Sequence, residues 1–492
     1  MSGATEVDAV AEAAEPAEPV SMAAAGAASV PAAGAASAPA PALSRAALAA
    51  AGQPLPVAPV RIVHLGLGAF HRAHQAWYTA HADDAADWGI AAFTGRSPDA
   101  ADQLRPQDGL FTLIVRDEHA DRAEIVPSLV EAVSGDDLSR LVELLSAPST
   151  AVVTLTITEP GYRSRPDGSP DLDDPAVASD LAELRGGGRP ATTIGRLVAG
   201  LDARRWAGAA PIAILPCDNI PDNGRFVRAA VVGLAEAAGL SETAAWIRDA
   251  VSFVATSIDR ITPRSTPDDR ATAETLTGWA DAAPVVTEPF HDWVLQGEFP
   301  AGRPHWEAAG ARFVDDIEPF ERRKLWLLNG AHSLLAYAGL RRGHETVAQA
   351  VGDSVLRAQV EAFWDAACRH LPDGLDLPAY RAALLERFDN ARIEHRLAQI
   401  GQEGSAKLRV RAAPVLLAER AAGRDGAAAI AALVAWVALQ LEAAAPPDAA
   451  EEALAAARAS DSPVFELLRL LDPALVDDPA IVAAVTEGVA DA

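Results

Sequence analysis

Three side chains that can move protons or bind oxygen lie close together in the segment "KLWLLNGAH", residues 324 to 332. They are Lys324, Asn329 and His332. The 41 basic residues of the chain include only two lysines, Lys324 and Lys407, which leaves 39 arginines. Arginine stays protonated under ordinary conditions, whereas a lysine amine in surroundings that exclude water can lose its proton near neutral pH. Lysine at position 324 therefore predicts proton transfer.

A helix over residues 321 to 339 would place the three side chains on one side. With 3.6 residues per turn, His332 and Asn329 lie about 80 and 140 degrees around the axis from Lys324. The helical neighbours on that side are apolar: Leu325, Leu328 and Ala331. We therefore expect a desolvated lysine with a lowered pKa. The alternatives are a surface lysine at 324 and a structural buried histidine at 332.

A glycine turn near the start of the chain would place a second part of the site. In "VRIVHLGLGAFHRAHQ" an apolar strand-like run, residues 60 to 65, is followed by Gly66, Gly68 and a helical pattern from Ala69. Strand, glycine turn and helix let backbone amides approach a pyrophosphate at a helix N-terminus. The third glycine of G-x-G-x-x-G is replaced by His71, so an alternative is a glycine turn without a ligand.

The rest of the pattern predicts an α/β fold in two parts. Further strands are expected at residues 89 to 95, 151 to 158 and 211 to 219, with helical segments between them, which predicts a doubly wound parallel sheet. From about residue 319 the pattern becomes mostly helical. We expect a Rossmann-like domain over 59 to 315 and a helical domain over 316 to 492, with a ligand cleft between them.

Together these residues suit transfer of a hydride from an alcohol carbon to a nicotinamide. Such a reaction requires removal of the hydroxyl proton and stabilisation of the developing alkoxide. Lys324 would be the base, and Asn329 would donate to the alkoxide. Asn219 follows a predicted strand at the edge of the sheet where sites form. His332 would bind the substrate oxygen or a neighbouring hydroxyl.

Composition excludes several other classes of function. The net charge of −27 argues against nucleic acid or an anionic membrane surface as a partner. No apolar run approaches the roughly 20 residues that span a bilayer. The two cysteines, Cys217 and Cys368, form neither a disulfide framework nor a CxxC pair. We therefore expect a cytoplasmic protein that is a monomer or a small homo-oligomer.

The first 58 residues and one histidine pair need separate interpretations. Residues 1 to 58 are rich in Ala, Pro and Gly and acidic at the start, which predicts a disordered tail rather than a secretory signal, with Met22 as an alternative start. His71 and His74 have an i, i+3 spacing that a metal could use. No nearby carboxylate or cysteine completes such a site, so packing is the favoured interpretation.

A set of ordered motifs resembles the mannitol dehydrogenase family, the polyol-specific long-chain dehydrogenases and reductases. The matching segments span about residues 59 to 480 and are "GLGAFHRAHQ", "TLTITEPGY", "CDNIPDNG", "IDRITP", "VVTEPF", "KLWLLNGAHS" and "EGSAK". The resemblance implies that Lys324 is the general base, that Asn329 and His332 accompany it, that Asn219 joins the oxyanion site and that no metal is needed. It also implies a polyol or sugar-acid substrate.

Within that family, residues 392 to 411 resemble fructuronate reductases, which interconvert D-fructuronate and D-mannonate. Mannitol 2-dehydrogenases tend to carry arginine where this chain has Gln399. An aldonate carboxylate needs a cation, for which Lys407, Arg392 and Arg396 are candidates; the alternative for each is a solvated helix charge. We predict that the substrate contacts four residues: Asp259, Arg396, Gln399 and Lys407. Mannitol 2-dehydrogenase and mannitol-1-phosphate 5-dehydrogenase activities are the alternatives.

The cofactor prediction is NAD or NADP. After the second strand, "FTGRSP" offers Arg96 and Ser97 in place of a carboxylate, which favours tolerance of a 2′-phosphate, whereas the family resemblance favours NAD. The cofactor-binding residues that we predict lie in the turns after three strands: Gly66, Gly68, Ala69, Phe70, Arg96, Ser97, Thr158 and Glu159. A rival hypothesis is a non-catalytic nucleotide sensor, against which the complete set of Lys324, Asn329, His332 and Asn219 weighs.

Overall fold

A six-stranded parallel sheet forms the centre of the N-terminal half. The structure, a computed structural model, describes residues 39–491. Within them the strands are β1 (Val60–Leu65), β2 (Gly89–Phe93), β3 (Phe111–Arg116), β4 (Asp121–Val126), β5 (Leu129–Val133), β6 (Val152–Leu155), β7 (Ile212–Pro216), β8 (Val251–Phe253), β9 (Ala255–Asp259), β10 (Val285–Thr287), β11 (Asp292–Gln296) and β12 (Arg312–Phe313). The large sheet has the order β5-β2-β1-β6-β7-β8, and all its neighbours are parallel.

This strand order confirms the predicted doubly wound fold, because the order reverses at β1 and β6 as in dinucleotide-binding sheets. The strands form from mostly apolar runs, and most of them are covered on both faces. On β1, Ile62 packs into one apolar cluster, whereas Val63 and Leu65 pack into another on the opposite face. Register pairs such as His64 with Thr154 hold β1 beside β6.

Two small sheets flank the large one and were not predicted from the sequence. One has the order β10-β3-β4 and the other β12-β11-β9. In the second, Asp259 of β9 pairs with Asp292 of β11 across an antiparallel ladder. Strand β9 thereby carries Asp259 toward the site described below.

The helices cover both faces of the sheet and then form the C-terminal half. They are α1 (Arg45–Ala50), α2 (Ala69–His71), α3 (Trp77–Ala80), α4 (Asp99–Leu104), α5 (Leu138–Ser146), α6 (Pro175–Gly186), α7 (Thr193–Trp206), α8 (Asn223–Ala237), α9 (Ser241–Ala250), α10 (Pro267–Thr277), α11 (Glu318–Arg323), α12 (Ala331–Arg341), α13 (Val347–Gly352), α14 (Ser354–Cys368), α15 (Leu377–Asp389), α16 (Leu397–Ile400), α17 (Gly404–Arg411), α18 (Ala413–Ala421), α19 (Ala427–Leu441), α20 (Glu451–Arg458), α21 (Pro463–Leu471), α22 (Pro473–Val476) and α23 (Pro479–Asp491). None of these helices is long and apolar enough to cross a membrane.

The C-terminal helices share one large apolar core, as the predicted mostly helical second half requires. Helix α12 contacts α13, α14 and α19, and the core includes the fully buried Leu334, Phe363 and Trp364. Helix α19, whose sequence is almost entirely apolar, is buried around much of its circumference. A helix that is apolar on most sides is stable only inside such a core.

The prediction of a disordered tail is wrong for residues 39 to 58, the part of the tail that the structure describes. Residues 1 to 38 lie outside the described residues, but in residues 39 to 58 the chain forms α1, which Ser44 caps by accepting the Ala47 amide hydrogen. Leu43 and Leu48 are 0% and 1% exposed and pack with Leu110. A low average content of large apolar residues did not prevent two leucines from anchoring this segment.

Candidate active site

The amine of Lys324 lies between the sheet and the helical half of the chain. Its Nζ donates to the amide oxygen of Asn219 at 2.9 Å and to the backbone oxygen of Ile258 at 2.7 Å. A neutral lysine amine has two N–H donors and one lone pair. Because both acceptors are provided by the protein, the lone pair of the neutral amine is left for a proton from a third partner. This arrangement suits a general base.

Burial lowers the pKa of Lys324 below its ordinary value of 10.5. The negative charge of Asp259 opposes this shift, and the positive charge of Arg387 adds to it. The direction of this shift is the one that we predicted for Lys324 from the apolar residues on its helix face. A lower pKa increases the fraction of neutral amine near neutral pH, and that fraction is the form that accepts a proton.

The helix that carries Lys324 is not a plain α-helix as we predicted. Residues Lys324–Gly330 form a π-helical segment between α11 and α12. In a π-helix the backbone hydrogen bonds run from i to i+5, so positions five apart lie on the same face of the helix. Lys324 and Asn329 have this spacing, and both line the same cavity. The wider winding thus brings together two side chains that an α-helix would separate by about 140 degrees.

His332, in the first turn of α12, lines the cavity as a neutral side chain. Its Nε2 is buried and has no hydrogen-bond partner among the described residues. Its ring lies 4.9 Å from that of Phe388 and 4.8 Å from that of His395, measured between centroids. Burial and the neighbouring His395 hold the pKa of His332 well below its ordinary value. An uncharged imidazole with a free nitrogen can bind a substrate hydroxyl.

Asn219 belongs to a turn after β7 that also fixes a second loop. The carboxylate of the adjacent Asp218 accepts the amide hydrogens of Ile157 and Thr158 at 3.0 and 2.9 Å. It also accepts the hydroxyl hydrogen of Tyr162 at 2.6 Å. Thr158 has a φ of 63°, which is unusual for a β-branched residue. Asp218 therefore holds a strained turn after β6 beside the turn that carries Asn219.

Asp259 is held at the cavity by an arginine that the sequence did not single out. Both Nη atoms of Arg387 donate to its carboxylate, at 2.7 and 2.8 Å. Arg387 also pairs with Glu288 at 2.7 Å, and all three side chains are buried. Burial alone would raise the pKa of Asp259, but the charge and hydrogen bonds of Arg387 together lower it. Asp259 is therefore ionised and fixed in orientation.

These groups line one cavity of about 340 Å³. The lining residues come from the turn after β7, from the end of β9 and the loop after it, from the π-helical segment, from α12, and from α15 to α17 with the loop before α16: Asn219, Asp259, Arg260, Ile261, Lys324, Leu328, Asn329, His332, Arg387, His395, Gln399, Ile400, Lys407 and Arg411. All four predicted catalytic residues are in this set. Of the predicted substrate-binding residues, Asp259, Gln399 and Lys407 are in it.

Arg396 does not lie in the cavity, so its prediction as a substrate-binding residue is not supported. Its side chain is exposed and pairs with Glu394 at 2.8 Å. Arg392 likewise pairs with Asp121 and donates to the backbone oxygen of Asp117. Both arginines are satisfied at the surface, whereas Lys407 of the same segment faces the cavity. All three residues belong to one segment of the sequence, so their positions in the chain could not show which of them faces the cavity.

The glycine turn after β1 fits a dinucleotide. Gly66 has a φ of 113°, and a Cβ at this position would lie 2.0 Å from the backbone oxygen of Thr156. At Gly68 the nearest atom to a Cβ is 3.6 Å away, so the absent side chain leaves open space. Ala69 and Phe70 then begin α2. A tight turn, an open glycine and a helix N-terminus are the elements that cradle a pyrophosphate.

The other predicted cofactor residues follow neighbouring strands of the same sheet. Arg96 and Ser97 are exposed in the turn after β2, and Thr158 and Glu159 are exposed in the turn after β6. Strands β2, β1 and β6 are adjacent and parallel, so these turns share one edge of the sheet with Gly66. Ligands of open α/β sheets bind at this edge. The residues therefore fit a bound NAD or NADP.

The histidines after the glycine turn are packed rather than arranged as ligands. The His71 ring stacks on that of His64 with centroids 3.3 Å apart. His74 Nε2 lies 3.2 Å from the backbone oxygen of Asp292. Within residues 39–491, potential metal ligands cluster at an exposed position, Asp83, Asp84 and His305. That cluster is not part of the lining of the cavity.

Several cavity residues were missed by sequence reasoning. Arg387 and Arg411 are two among 39 arginines, and no local pattern distinguishes them, whereas Arg260 follows Asp259 in the motif "IDRITP" and could have been noted. His395 lies in a loop with no catalytic spacing. Asp218, by contrast, could have been noted, because it precedes Asn219 within the motif "CDN".

Comparisons with known proteins match the chain over most of its length. Residues 60–308 match the mannitol dehydrogenase Rossmann domain, and residues 316–487 match the mannitol dehydrogenase C-terminal domain. D-mannonate oxidoreductase of Escherichia coli (strain K12) is 38% identical over 359 residues, which are 71% of this chain and 73% of that protein. Mannitol 2-dehydrogenase of Cereibacter sphaeroides is 37% identical over 358 residues, 70% of this chain and 73% of that one.

Solved structures give the same result. The Pseudomonas fluorescens mannitol 2-dehydrogenase, in a ternary complex with NAD and D-mannitol, superposes with a TM-score of 0.74 at 32% identity. The match covers 92% of this chain and 94% of that one. A D-sorbitol dehydrogenase in substrate-free form gives a TM-score of 0.77 at 28% identity, covering 87% and 95%. With the site geometry and both family domains in order, the chain belongs to the mannitol dehydrogenase family and is an NAD(P)-dependent dehydrogenase that acts on CH–OH groups.

Proposed function

We propose that the chain interconverts an aldonate and the corresponding ketouronate, with D-mannonate and D-fructuronate as the substrate pair. The observation that carries this proposal is the charge of the cavity beside Lys324. Lys407 lines it without a carboxylate partner among the described residues, and the neighbouring Gln399 is uncharged. A substrate with a carboxylate would neutralise this wall, whereas a neutral polyol would leave it charged.

The proton-transfer chemistry follows from three side chains. Neutral Lys324 accepts the hydroxyl proton of the substrate through the lone pair that its bonds to Asn219 and Ile258 leave free. The oxygen of the Asn219 amide is occupied by Lys324, so its Nδ2 is the end that donates to the alkoxide. The side chain of Asn329 donates to the same oxygen. Preorganised donors of this kind stabilise developing charge strongly.

The remaining groups bind and orient the substrate. His332 contacts a neighbouring hydroxyl through its free ring nitrogen, and ionised Asp259 accepts hydroxyl hydrogens while Arg387 fixes its position. Gly66, Gly68, Ala69 and Phe70 would hold the cofactor pyrophosphate, and the turns after β2 and β6 its ribose. When bound, the oxidised nicotinamide supplies the acceptor for the hydride that leaves the alcohol carbon.

Sequence identity does not choose between substrates. D-mannonate oxidoreductase and mannitol 2-dehydrogenase relatives are 38% and 37% identical to the chain. The alternatives are therefore oxidation of mannitol at C2, oxidation of mannitol 1-phosphate at C5, and a nucleotide sensor without turnover. The phosphate alternative shares the requirement for a cation, so it must be tested directly.

The test is the reduction of a substrate panel by purified protein with NADH and with NADPH. The panel contains D-fructuronate, D-tagaturonate, D-fructose and D-fructose 6-phosphate. We expect D-fructuronate to have the highest kcat/KM. A higher value for fructose or fructose 6-phosphate would replace the aldonate assignment with the corresponding alternative, and cofactor binding without turnover of any substrate would favour the sensor.

A further inference from the structure

Arg411, the last residue of α17, has a guanidinium nitrogen that no described protein group uses. Arg411 lines the cavity, where its Nη1 donates to the backbone oxygen of Asn329 at 3.3 Å and to Ser333 Oγ at 3.1 Å. Its Nη2 donates to no described residue and, unlike the Nε of the same side chain, is not fully buried. Nη2, with its two N–H groups, is therefore the donor of Arg411 that is left for a ligand.

The charge around Arg411 is also unbalanced. Within residues 39–491 it makes no ion pair, and Lys407, one helical turn earlier on α17, donates only to the backbone oxygen of Ile400 at 2.9 Å. The charge of Arg387, on the other side of the cavity, is balanced by Asp259 and Glu288. Positions i and i+4 share one helix face. Two partly buried cations thus face the cavity together in a protein whose net charge is −27.

We propose that Arg411 is a specificity-determining residue that binds the substrate carboxylate through the N–H donors of its Nη2, with Lys407 as the second cation. This inference rests on the proposed aldonate function and names the group that selects aldonates over polyols. The N–H groups of Nη2 can donate charge-assisted hydrogen bonds to one carboxylate oxygen, and Lys407 can donate to the other. Nη1, held by Asn329 and Ser333, fixes the plane of the guanidinium before the substrate arrives.

Arg411 has a competing structural role, because its bond to the Asn329 backbone oxygen braces the π-helical segment. A residue with that role alone would affect all substrates equally, since Lys324 and Asn329 serve every reaction of the site. A carboxylate-binding residue would affect ketouronates far more than fructose. The comparison of two substrates within one variant therefore separates the two roles.

The experiment uses the full chain with Arg411→Met, Arg411→Lys and the control Arg409→Met. Arg409 lies on the same helix, but its side chain donates to the backbone oxygens of Leu470 and Leu471. We expect Arg411→Met to lower kcat/KM for D-fructuronate by about 100-fold or more, as loss of a close charge pair does, mainly through KM. Activity on D-fructose should fall much less, so the ratio of the kcat/KM values for D-fructuronate and D-fructose should drop by about 10-fold or more. Arg411→Lys, which keeps the charge without the planar guanidinium, should be intermediate.

A binding measurement makes the test independent of turnover. With cofactor present, D-mannonate should raise the Tm of the wild type and of Arg409→Met but not that of Arg411→Met, while the cofactor alone should stabilise all three. Equal losses on fructuronate and fructose, or a retained response to mannonate in Arg411→Met, would overturn the role of Arg411 and leave the proposed function intact. A wild type that neither binds nor converts any uronate or aldonate would overturn both.

Discussion

The Nζ of Lys324 and the amide oxygen of Asn219 lie 2.9 Å apart, although 105 positions separate the two residues in the chain. Asn219 follows a strand of the parallel sheet, and Lys324 begins the π-helical segment of the C-terminal half. This hydrogen bond sets the orientation of both groups: it directs the amide nitrogen of Asn219 and the lone pair of a neutral Lys324 toward other partners. Each group therefore fixes the orientation of the other.

Replacing Lys324 with arginine should remove proton transfer and retain cofactor binding. Arginine keeps the positive charge but does not titrate near neutrality, so kcat should fall by roughly 10² to 10⁴. Alcohol oxidation by the wild type should rise with pH through the pKa of Lys324, which burial places below 10.5, and this limb should disappear in the variant. Retention of most activity with an unchanged pH profile would mean that Lys324 acts only as a fixed charge.

Lys324→Ala offers a complementary measurement. Small primary amines added to the assay should restore part of the activity, and their efficiency should follow their pKa as expected for a general base. Absence of rescue by any amine would count against this role, provided that the variant binds cofactor like the wild type.

Two changes at Asn219 should act differently. Asn219→Ala removes an alkoxide donor and should lower kcat roughly 10² to 10³-fold. Asn219→Asp places a negative charge beside Lys324, which should raise the pKa of the amine and move the rising limb of alcohol oxidation to higher pH. Initial rates across pH check both. If the aspartate variant keeps the wild-type profile, the 2.9 Å bond does not couple the two groups.

Arg96→Asp should shift cofactor preference from NADPH toward NADH. A carboxylate in the turn after β2 can accept hydrogens from the ribose diol and repels a 2′-phosphate. The control Arg270→Asp makes the same change of charge at an exposed position of α10. The ratio of kcat/KM values for the two cofactors is the measurement. A ratio that is unchanged in Arg96→Asp, or equally changed in the control, would remove Arg96 from the cofactor pocket.

Asp259 and Glu288 both pair with Arg387, but replacing each by its amide should have different effects on the pH profile of activity. Asp259 raises the pKa of Lys324, so Asp259→Asn should move alcohol oxidation to lower pH, and loss of a partner from a buried ion pair should cost about 3 to 5 kcal/mol of stability. The main charges that shift the pKa of Lys324 include Asp259 but not Glu288. Glu288→Gln should therefore leave the activity profile in place, and similar shifts in both variants would contradict this distinction.

Glu288 should also make stability depend on pH. Its pKa in the folded protein, about 7, is above the ordinary value of 4.5. Between these values the folded state binds more protons than the unfolded state, so the free energy of unfolding should fall as pH rises from about 4.5 to 7. Denaturant unfolding of the wild type and Glu288→Gln measures this slope, which should be smaller in the variant.

The N-terminal segment should contribute to stability, contrary to its composition. Leu48 is 1% exposed, and its truncation to alanine should cost about 2 to 5 kcal/mol. Val57 is 65% exposed, so Val57→Ala is the matched control and should leave Tm nearly unchanged. Equal Tm values for the two variants would show that α1 is not anchored as described.

Four strands of the large sheet, β1, β2, β6 and β7, could be predicted because each is a mostly apolar run, and the run at residues 60 to 65 matches β1 along its whole length. Strands β5 and β8 were not predicted, because "LVEAV" contains a charged residue and "VSF" is only three residues long. The small sheets could not be predicted either. Strand β4, with the sequence "DRAEIV", is mostly half-buried and carries three charged residues, so its pattern resembles a loop. Likewise, two leucines were enough to anchor α1, and an average over 58 residues concealed them.

Among the residues that line the cavity, those of a rare type could be recognised from the sequence. Lys324 could be identified among two lysines, but Arg387 and Arg411 could not be identified among 39 arginines. Arg387 is 128 positions from Asp259, and no local periodicity records such a contact. The π winding was also missed, because it changes the helix by less than one turn and leaves the apolar pattern intact.

The π-helical segment makes the spacing of the motif a matter of length as well as residue type. If the segment were wound as an uninterrupted α-helix with all its residues present, every residue after it would turn by about 100 degrees relative to Lys324. Asn329 and His332 would then leave the cavity wall, although no side chain of the site had been changed. An uninterrupted α-helix would keep the two side chains together only if one residue between Lys324 and Asn329, for example Leu327, were also deleted, because the lysine and the asparagine would then be four positions apart.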